Sequence, residues 1–173
     1  MTMRNGRLLA IDPGTREMGV AVLEAGKLRY SGTEVFPKLR SPQAQLRQCR
    51  AAVVRLIRDF RPAAVAIEKT FIGRNRNAAL LNVLTEEIAS LARRRGLRVL
   101  ALSPSQVKKA VAGDGWAGKD EVARAVAARF PELRVHLAPE RAWKKSRQLN
   151  MFDAVAVGLA CLDDDLRSRA SFP

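Results

Sequence analysis

Apolar runs bounded by turn residues divide the chain into predicted strands and helices. Strands are expected at residues 7–12, 19–25, 27–33, 63–68 and 97–102. A tight turn at Ala25-Gly26 joins the second strand to the third, so the first three strands should form an antiparallel meander. The later strands alternate with helical segments. This order predicts an α/β fold with a mixed central sheet, an antiparallel meander followed by parallel strands, flanked by helices.

The helices have recognisable start and stop signals. Ser41-Pro42 and Ser103-Pro104 each combine an N-cap serine with a proline at the first helical position. Helices are expected from Pro42 to before Pro62, from about Ala79 to Gly96, from Pro104 toward Ala112, from Lys119 to Phe130 and from about Asn150 onward. A flexible turn is expected at 113–118 and a basic loop at 131–149. No repeat or linker interrupts the sequence, which predicts one domain over residues 1–173.

Three acidic residues stand on otherwise apolar elements. Asp12 ends the first strand, Glu68 ends the strand at 63–68, and Asp153 lies in the mostly apolar segment that begins at Asn150. An ionised carboxylate at the end of a buried strand is costly unless a cation meets it, although an aspartate before Pro-Gly is also common in ordinary turns. Divalent cations such as Mg²⁺ and Mn²⁺ prefer oxygen ligands and support phosphodiester cleavage. The three acids therefore suggest a metal site if the fold brings them together.

The ordered set of motifs resembles the RuvC family of Holliday junction resolvases, in the ribonuclease H-like nuclease superfamily. The resemblance rests on Ile11-Asp12-Pro13-Gly14, on residues 66–71 and on residues 153–158. Segments 105–113 and 118–122 resemble the family's basic segment and the lysine-bearing start of its next helix. The resemblance implies a metal-dependent endonuclease with two Mg²⁺ or Mn²⁺ ions per site. It also implies a homodimer that resolves four-way DNA junctions by paired nicks, with a branch-migration complex as a further partner.

The resemblance assigns roles to five residues. Asp12, Glu68 and Asp153 would hold the ions during hydrolysis of the DNA phosphodiester by an activated water. Lys108 and Lys119 match family lysines near the scissile phosphate, where they could stabilise developing negative charge. Both lysines could instead be ordinary solvated residues on helices.

Two further positions matter to the resemblance. Family members usually have Asp or His three residues before the last aspartate, and this chain has Asn150 there. Its amide oxygen could be a weak, uncharged metal ligand, in which case Asn150→Asp should lower the Mg²⁺ requirement; alternatively, Asn150 caps the last helix. Phe71 matches the aromatic that family members present to the junction centre, although it could equally be a core residue beside a strand.

The charge of the chain favours a polyanionic partner. Its 31 Lys and Arg residues against 17 Asp and Glu give a formal net charge of +14, as expected for a nucleic-acid-binding protein. Arginine richness from genome composition is the alternative, but the basic residues cluster around the acidic motifs. The predicted DNA-binding residues are Phe71, Arg74, Arg76, Lys108, Lys109, Lys119, Lys144 and Lys145.

Other features narrow the functional class. No apolar run reaches the roughly 20 residues needed to cross a membrane, and no signal-peptide core precedes the first strand, so a cytoplasmic location is expected. Cys49 and Cys161 lack metal-binding spacing and are expected to be buried free thiols. Besides a junction resolvase, two functions stay open: a nuclease of the same fold acting on other branched DNA, and a catalytically weakened junction-binding protein.

Overall fold

The computed structural model describes residues 6–69, 76–137 and 142–170, without the side chains of 76–77, 142–146 and 163–170. Its strands are β1 (Arg7–Asp12), β2 (Glu17–Glu24), β3 (Lys27–Val35), β4 (Ala64–Glu68) and β5 (Arg98–Leu102). They form one sheet in the order β3-β2-β1-β4-β5. The β1, β2 and β3 strands pair antiparallel, whereas β4 runs parallel to both β1 and β5. The mixed sheet expected from the sequence is confirmed.

The helices are α1 (Pro42–Phe60), α2 (Arg76–Arg94), α3 (Pro104–Ala112), α4 (Lys119–Arg129) and α5 (Ala142–Ala170). Ser41 caps α1 by accepting a hydrogen bond from the Ala44 amide at 3.3 Å. Ser103 caps α3 in a capping box with Gln106. Both serine-proline starts are therefore confirmed.

The prediction of a basic loop over residues 131–149 was wrong. A short 3₁₀ helix occupies Pro131–His136, and α5 begins at Ala142, about two turns before Asn150. The lysine, arginine and glutamine residues of segment 144–148 are good helix formers, so they extend the apolar helix toward its N-terminus.

Two hydrophobic cores lie on opposite faces of the sheet because side chains alternate along each strand. On β1, Leu9 and Ile11 pack in the core beneath α1 and α2. The neighbouring Leu8 and Ala10 pack in the core formed with α3, α4 and α5. Within the described part of the chain, Cys49 and Cys161 are buried thiols that form no disulfide, as the sequence predicted.

Helix α5 packs closely against the sheet because the residues at the contact are small. A Cβ atom at Gly19 on β2 would overlap the backbone carbonyl of Asn150. Further along, a Cβ at Gly158 would overlap the Leu23 side chain. The helix backbone is thereby held against β2, beside the central strand β1.

Candidate functional site

The three acidic residues meet at one edge of the sheet. Strands β1 and β4 are parallel neighbours in which Ile11 pairs with Ile67, so Asp12 and Glu68 end adjacent strands on the same side. Across the other flank of β1, Asp12 pairs with Gly19, the residue on which α5 rests at Asn150. Asp153, one helical turn further along α5, is thereby brought to the same edge.

The electrostatics of these carboxylates show that they interact. Burial raises the pKa of Asp12 well above its usual value, and the charges of Asp153 and Glu68 raise it further. Burial likewise raises the pKa of Glu68 to about 7, reinforced by the charge of Asp153. Lys119 lowers the pKa of both groups, and Lys108 lowers that of Glu68, but neither lysine cancels the increase. Burial is therefore the largest cause of the raised pKa values, and repulsion among the three carboxylates adds to it.

Lys119 is paired directly with this cluster. Its Nζ donates a hydrogen bond to Asp153 Oδ2 at 2.7 Å. Burial alone would lower the lysine pKa, but that hydrogen bond and the charges of the three carboxylates raise it above its usual value. Lys108 is half-buried and close enough to affect Glu68, whereas Lys109, the next residue of α3, is exposed. The structure thus brings Lys119 and Lys108 to the acidic cluster and turns Lys109 outward.

The three carboxylates offer the kind of ligand that a hard divalent cation prefers, although their side chains do not surround one point. Across the described ranges, no three acidic, histidine or cysteine side chains converge closely enough to hold an ion as they stand. The Asp153 carboxylate faces Lys119 instead. Nevertheless, Asp12, Glu68 and Asp153 supply the oxygen atoms that Mg²⁺ and Mn²⁺ prefer, and their mutual repulsion is the kind that a bound cation relieves.

Asn150 does not cap the last helix, because α5 begins at Ala142 and Asn150 lies in its interior. That alternative from the sequence was wrong. Instead, the Asn150 Nδ2 donates a hydrogen bond to Glu17 Oε2 at 3.1 Å. The other oxygen of Glu17 accepts a hydrogen bond from Arg147 Nε at 3.4 Å. Asn150 is one turn from Asp153, so it lies beside the acidic cluster.

Several predicted DNA contacts fall outside the described part of the structure. Phe71 and Arg74 lie outside the described residues. Arg76 begins α2, and Lys144 and Lys145 lie in the first turn of α5, but their side chains are not among those described. Their contact with DNA stays a prediction.

Sequence reasoning missed Glu17, which lies just before the strand expected at residues 19–25. The strand in fact begins at Glu17, and its side chain reaches across to α5. Only the pairing of β2 with β1, which places Gly19 under Asn150, could have revealed this contact.

Trp116 was also missed, because the sequence predicted a flexible turn at 113–118. In the structure, the loop around Trp116 is held by local contacts. Its amide donates a hydrogen bond to Asp114 Oδ1 at 2.9 Å, and the next residue, Ala117, is buried. The indole itself is 92% exposed. It stands three residues before Lys119, so its Cα is at most about 11 Å from that of the lysine. Because tryptophan is enriched at interfaces, this exposed indole is a candidate contact residue.

Comparison with known proteins gives consistent matches. The sequence model of the family described as crossover junction endodeoxyribonuclease RuvC matches residues 8–160. The RuvC endonuclease of Myxococcus xanthus is 38% identical over 173 residues, covering 96% of this chain and 84% of that protein. That of Heliobacterium modesticaldum is 35% identical over 159 residues, covering 89% of this chain and 92% of that protein. Among the described helices, none has the length and apolar character needed to cross a membrane.

Solved structures agree with the sequence matches. Thermus thermophilus RuvC in complex with a Holliday junction substrate superposes with a TM-score of 0.73 at 26% identity, covering 95% of this chain and 98% of that one. The yeast mitochondrial Holliday junction resolvase superposes with a TM-score of 0.66, covering 98% of this chain and 85% of that one. At 14% identity, this second match bears on the fold alone. Together they confirm the ribonuclease H-like fold expected from the sequence.

Proposed function

This chain belongs to the RuvC family of crossover junction endodeoxyribonucleases, and we propose from its own site that it resolves four-way DNA junctions by paired nicks in recombination and repair. The observation that carries the proposal is the convergence of Asp12, Glu68 and Asp153 at one sheet edge, from two adjacent strands and the helix packed over them. Repulsion among these partly buried acids has no evident structural benefit, which favours a catalytic role.

The acidic cluster is the proposed cation site. Asp12, Glu68 and Asp153 would hold Mg²⁺ or Mn²⁺, two ions per site, with the Asn150 amide oxygen as an uncharged fourth ligand. When bound, such ions supply Lewis-acid stabilisation of the attacking and leaving oxygens of a phosphodiester. The raised pKa of Asp12 and Glu68 supports this assignment, since a cation would favour the ionised carboxylates that their present surroundings disfavour.

The lysines are proposed to hold the scissile phosphate. Lys119 is half-exposed and begins α4, so its ammonium can reach both the carboxylates and a phosphate placed over them. Lys108 approaches the same cluster from α3. Positive groups in these positions would bind the phosphate and stabilise the charge that develops on its oxygens. The net charge of +14 supplies the attraction to the DNA backbone beyond the site.

The Trp116 indole is proposed to contact the DNA beside the scissile phosphate. It is exposed on a fixed loop whose next residues lead into Lys119. Aromatic side chains in such positions stack on bases that leave the helix stack, and a branched junction presents such bases near its crossover.

Two symmetric nicks require two sites related by a twofold axis, so we expect the active form to be a homodimer. Light scattering coupled to size-exclusion chromatography tests this directly. A protein that is monomeric both alone and on a junction would contradict the paired-nick proposal.

A cleavage assay tests the function itself. The purified protein is incubated with a mobile four-way junction, a flap and a linear duplex, each with Mg²⁺, with Mn²⁺ and without metal. We expect symmetric nicks in the junction alone, and only with metal. Equal cutting of the flap would indicate a broader branched-DNA nuclease, and tight binding without cutting would indicate a junction-binding protein.

A further inference from the structure

The Asn150 side-chain amide lies next to a further carboxylate, that of Glu17. Glu17 begins β2, and Gly19, two residues later on the same face of that strand, lies against the backbone of Asn150. Glu17 Oε2 accepts a hydrogen bond from Asn150 Nδ2 at 3.1 Å. Glu17 is therefore a neighbour of the acidic cluster that reaches it through Asn150.

The hydrogen bond fixes how the amide is presented. A carboxylate can accept a hydrogen bond but cannot donate one, so only the Nδ2 of Asn150 can face Glu17. The Asn150 Oδ1, the one atom of that side chain able to bind a hard cation, is thereby kept off Glu17 and available as a ligand. Arg147 holds the other Glu17 oxygen at 3.4 Å, which restricts rotation of the carboxylate.

The same contact explains why a carboxylate is unfavourable at position 150. An aspartate there would place a second acceptor about one hydrogen-bond length from Glu17 Oε2, with no donor between them. Two carboxylate oxygens that close, with no donor or cation between them, repel each other. An aspartate at position 150 would add one negative charge beside the cluster. With asparagine there, the nearest additional negative charge is that of Glu17, one hydrogen bond further away.

We infer that Glu17 is a positioning residue for the cation site: it selects an amide at position 150 and holds that amide so that its Oδ1 remains a neutral ligand. This inference rests on the proposed function, because it takes Asn150 as a ligand of the bound cation. It changes the expectation for Asn150→Asp: with Glu17 in place, that substitution alone does not improve the site.

The test uses five variants: E17A, E17Q, N150D, the double variant E17Q/N150D, and E24A as a matched control. Glu24 ends the same strand far from the cluster and is also bound by arginines, Arg7 at 3.0 Å and Arg29 at 2.8 Å. Each protein is titrated with Mg²⁺ alone while its melting temperature is followed, and the Mg²⁺ midpoint for junction nicking is measured in parallel.

E17A should raise the Mg²⁺ concentration for half-maximal stabilisation by about 10-fold or more, the usual effect of losing a group that orients a metal ligand. E24A should leave it unchanged. N150D should not lower it, whereas in E17Q/N150D the new amide at position 17 can donate to the new carboxylate, so the midpoint should fall about 10-fold below that of N150D. E17Q alone keeps an acceptor for Asn150 and should lie between wild type and E17A, which covers the case in which E17A fails to fold.

Equal Mg²⁺ midpoints for E17A and E24A would overturn the inference. So would an equal effect of N150D in the Glu17 and E17Q backgrounds, because a matched pair must be non-additive. The melting readout does not depend on DNA, so it still reports on Glu17 if the wild-type protein proves unable to nick junctions, an outcome that counts against the proposed function instead.

Discussion

Removing the charge of Glu68 should stabilise the metal-free protein at alkaline pH. In the fold, burial and the neighbouring charge of Asp153 raise the Glu68 pKa from 4.5 to about 7. A carboxyl with a raised pKa holds its proton more tightly when folded than when unfolded. Its contribution to stability is therefore fully present below pH 4.5 and is lost as the pH rises through about 7.

The magnitude follows from the shift. The difference between 4.5 and about 7 corresponds to about 3 kcal/mol of unfolding free energy. Glu68→Gln keeps the shape and removes the charge, so at pH 8 in EDTA it should raise the melting temperature by roughly 6–12 °C for a chain of this length. At pH 5, where wild-type Glu68 is mostly protonated in the fold, the gain should be small.

Thermal melts of wild type and Glu68→Gln at pH 5 and pH 8, each with EDTA or Mg²⁺, measure this effect. Mg²⁺ should stabilise wild type at pH 8 by relieving the repulsion, and stabilise the variant much less. Glu24→Gln is the control with the opposite sign, because the hydrogen bond from Arg7 lowers the pKa of Glu24. If Glu68→Gln melted like wild type in EDTA at pH 8, the claim that the cluster is electrostatically strained would be wrong.

Three further predictions concern other parts of the site. Asp12→Asn should bind junctions in a gel-shift assay as tightly as wild type, with an affinity that decreases steeply with salt. In a cleavage assay it should nick junctions at least a hundredfold more slowly, and near wild-type nicking would contradict its role as a ligand. Trp116→Ala should weaken junction binding by roughly 5- to 100-fold, with Trp116→Phe largely restoring it, whereas equal affinities in a fluorescence titration would exclude stacking. Gly19→Ala should destabilise the protein by about 1–3 kcal/mol and impair nicking by pushing α5 outward; Gly32→Ala, whose Cβ would meet only the Tyr30 side chain, is the control.

The features that the sequence predicts are those that depend on residues close together along the chain. An apolar run that ends on an acid identifies a strand end, so Asp12 and Glu68 could be named before their proximity was known. The pairing of their strands follows from the alternation of strands and helices. The start of α5 was missed because Pro131 and Pro139 suggested an irregular segment, whereas the helical preference of residues 142–149 prevailed.

The features that could not be predicted depend on individual side-chain contacts rather than on the pattern of apolar residues. Glu17 meets Asn150 because Gly19 allows α5 to approach β2, and nothing near Glu17 in the sequence indicates this. The exposure of Trp116 depends on how Asp114 and buried Ala117 fix its loop. In the first case the decisive information is the distance between two elements, and in the second it is a hydrogen bond within one loop. Hydrophobic periodicity encodes neither.

The two faces of the sheet differ in how much they can be altered by protein engineering. The core under α1 and α2 contains large aliphatic side chains and none of the site acids, so volume-conserving substitutions there should change stability with little effect on chemistry. The opposite core is rich in alanine and lies under the helix that carries Asp153, and the close approach of that helix leaves no room for a methyl group at Gly19 or Gly158. Efforts to make a more heat-resistant enzyme should therefore be directed at the first face, since gains sought on the second would be offset by displacement of the catalytic helix.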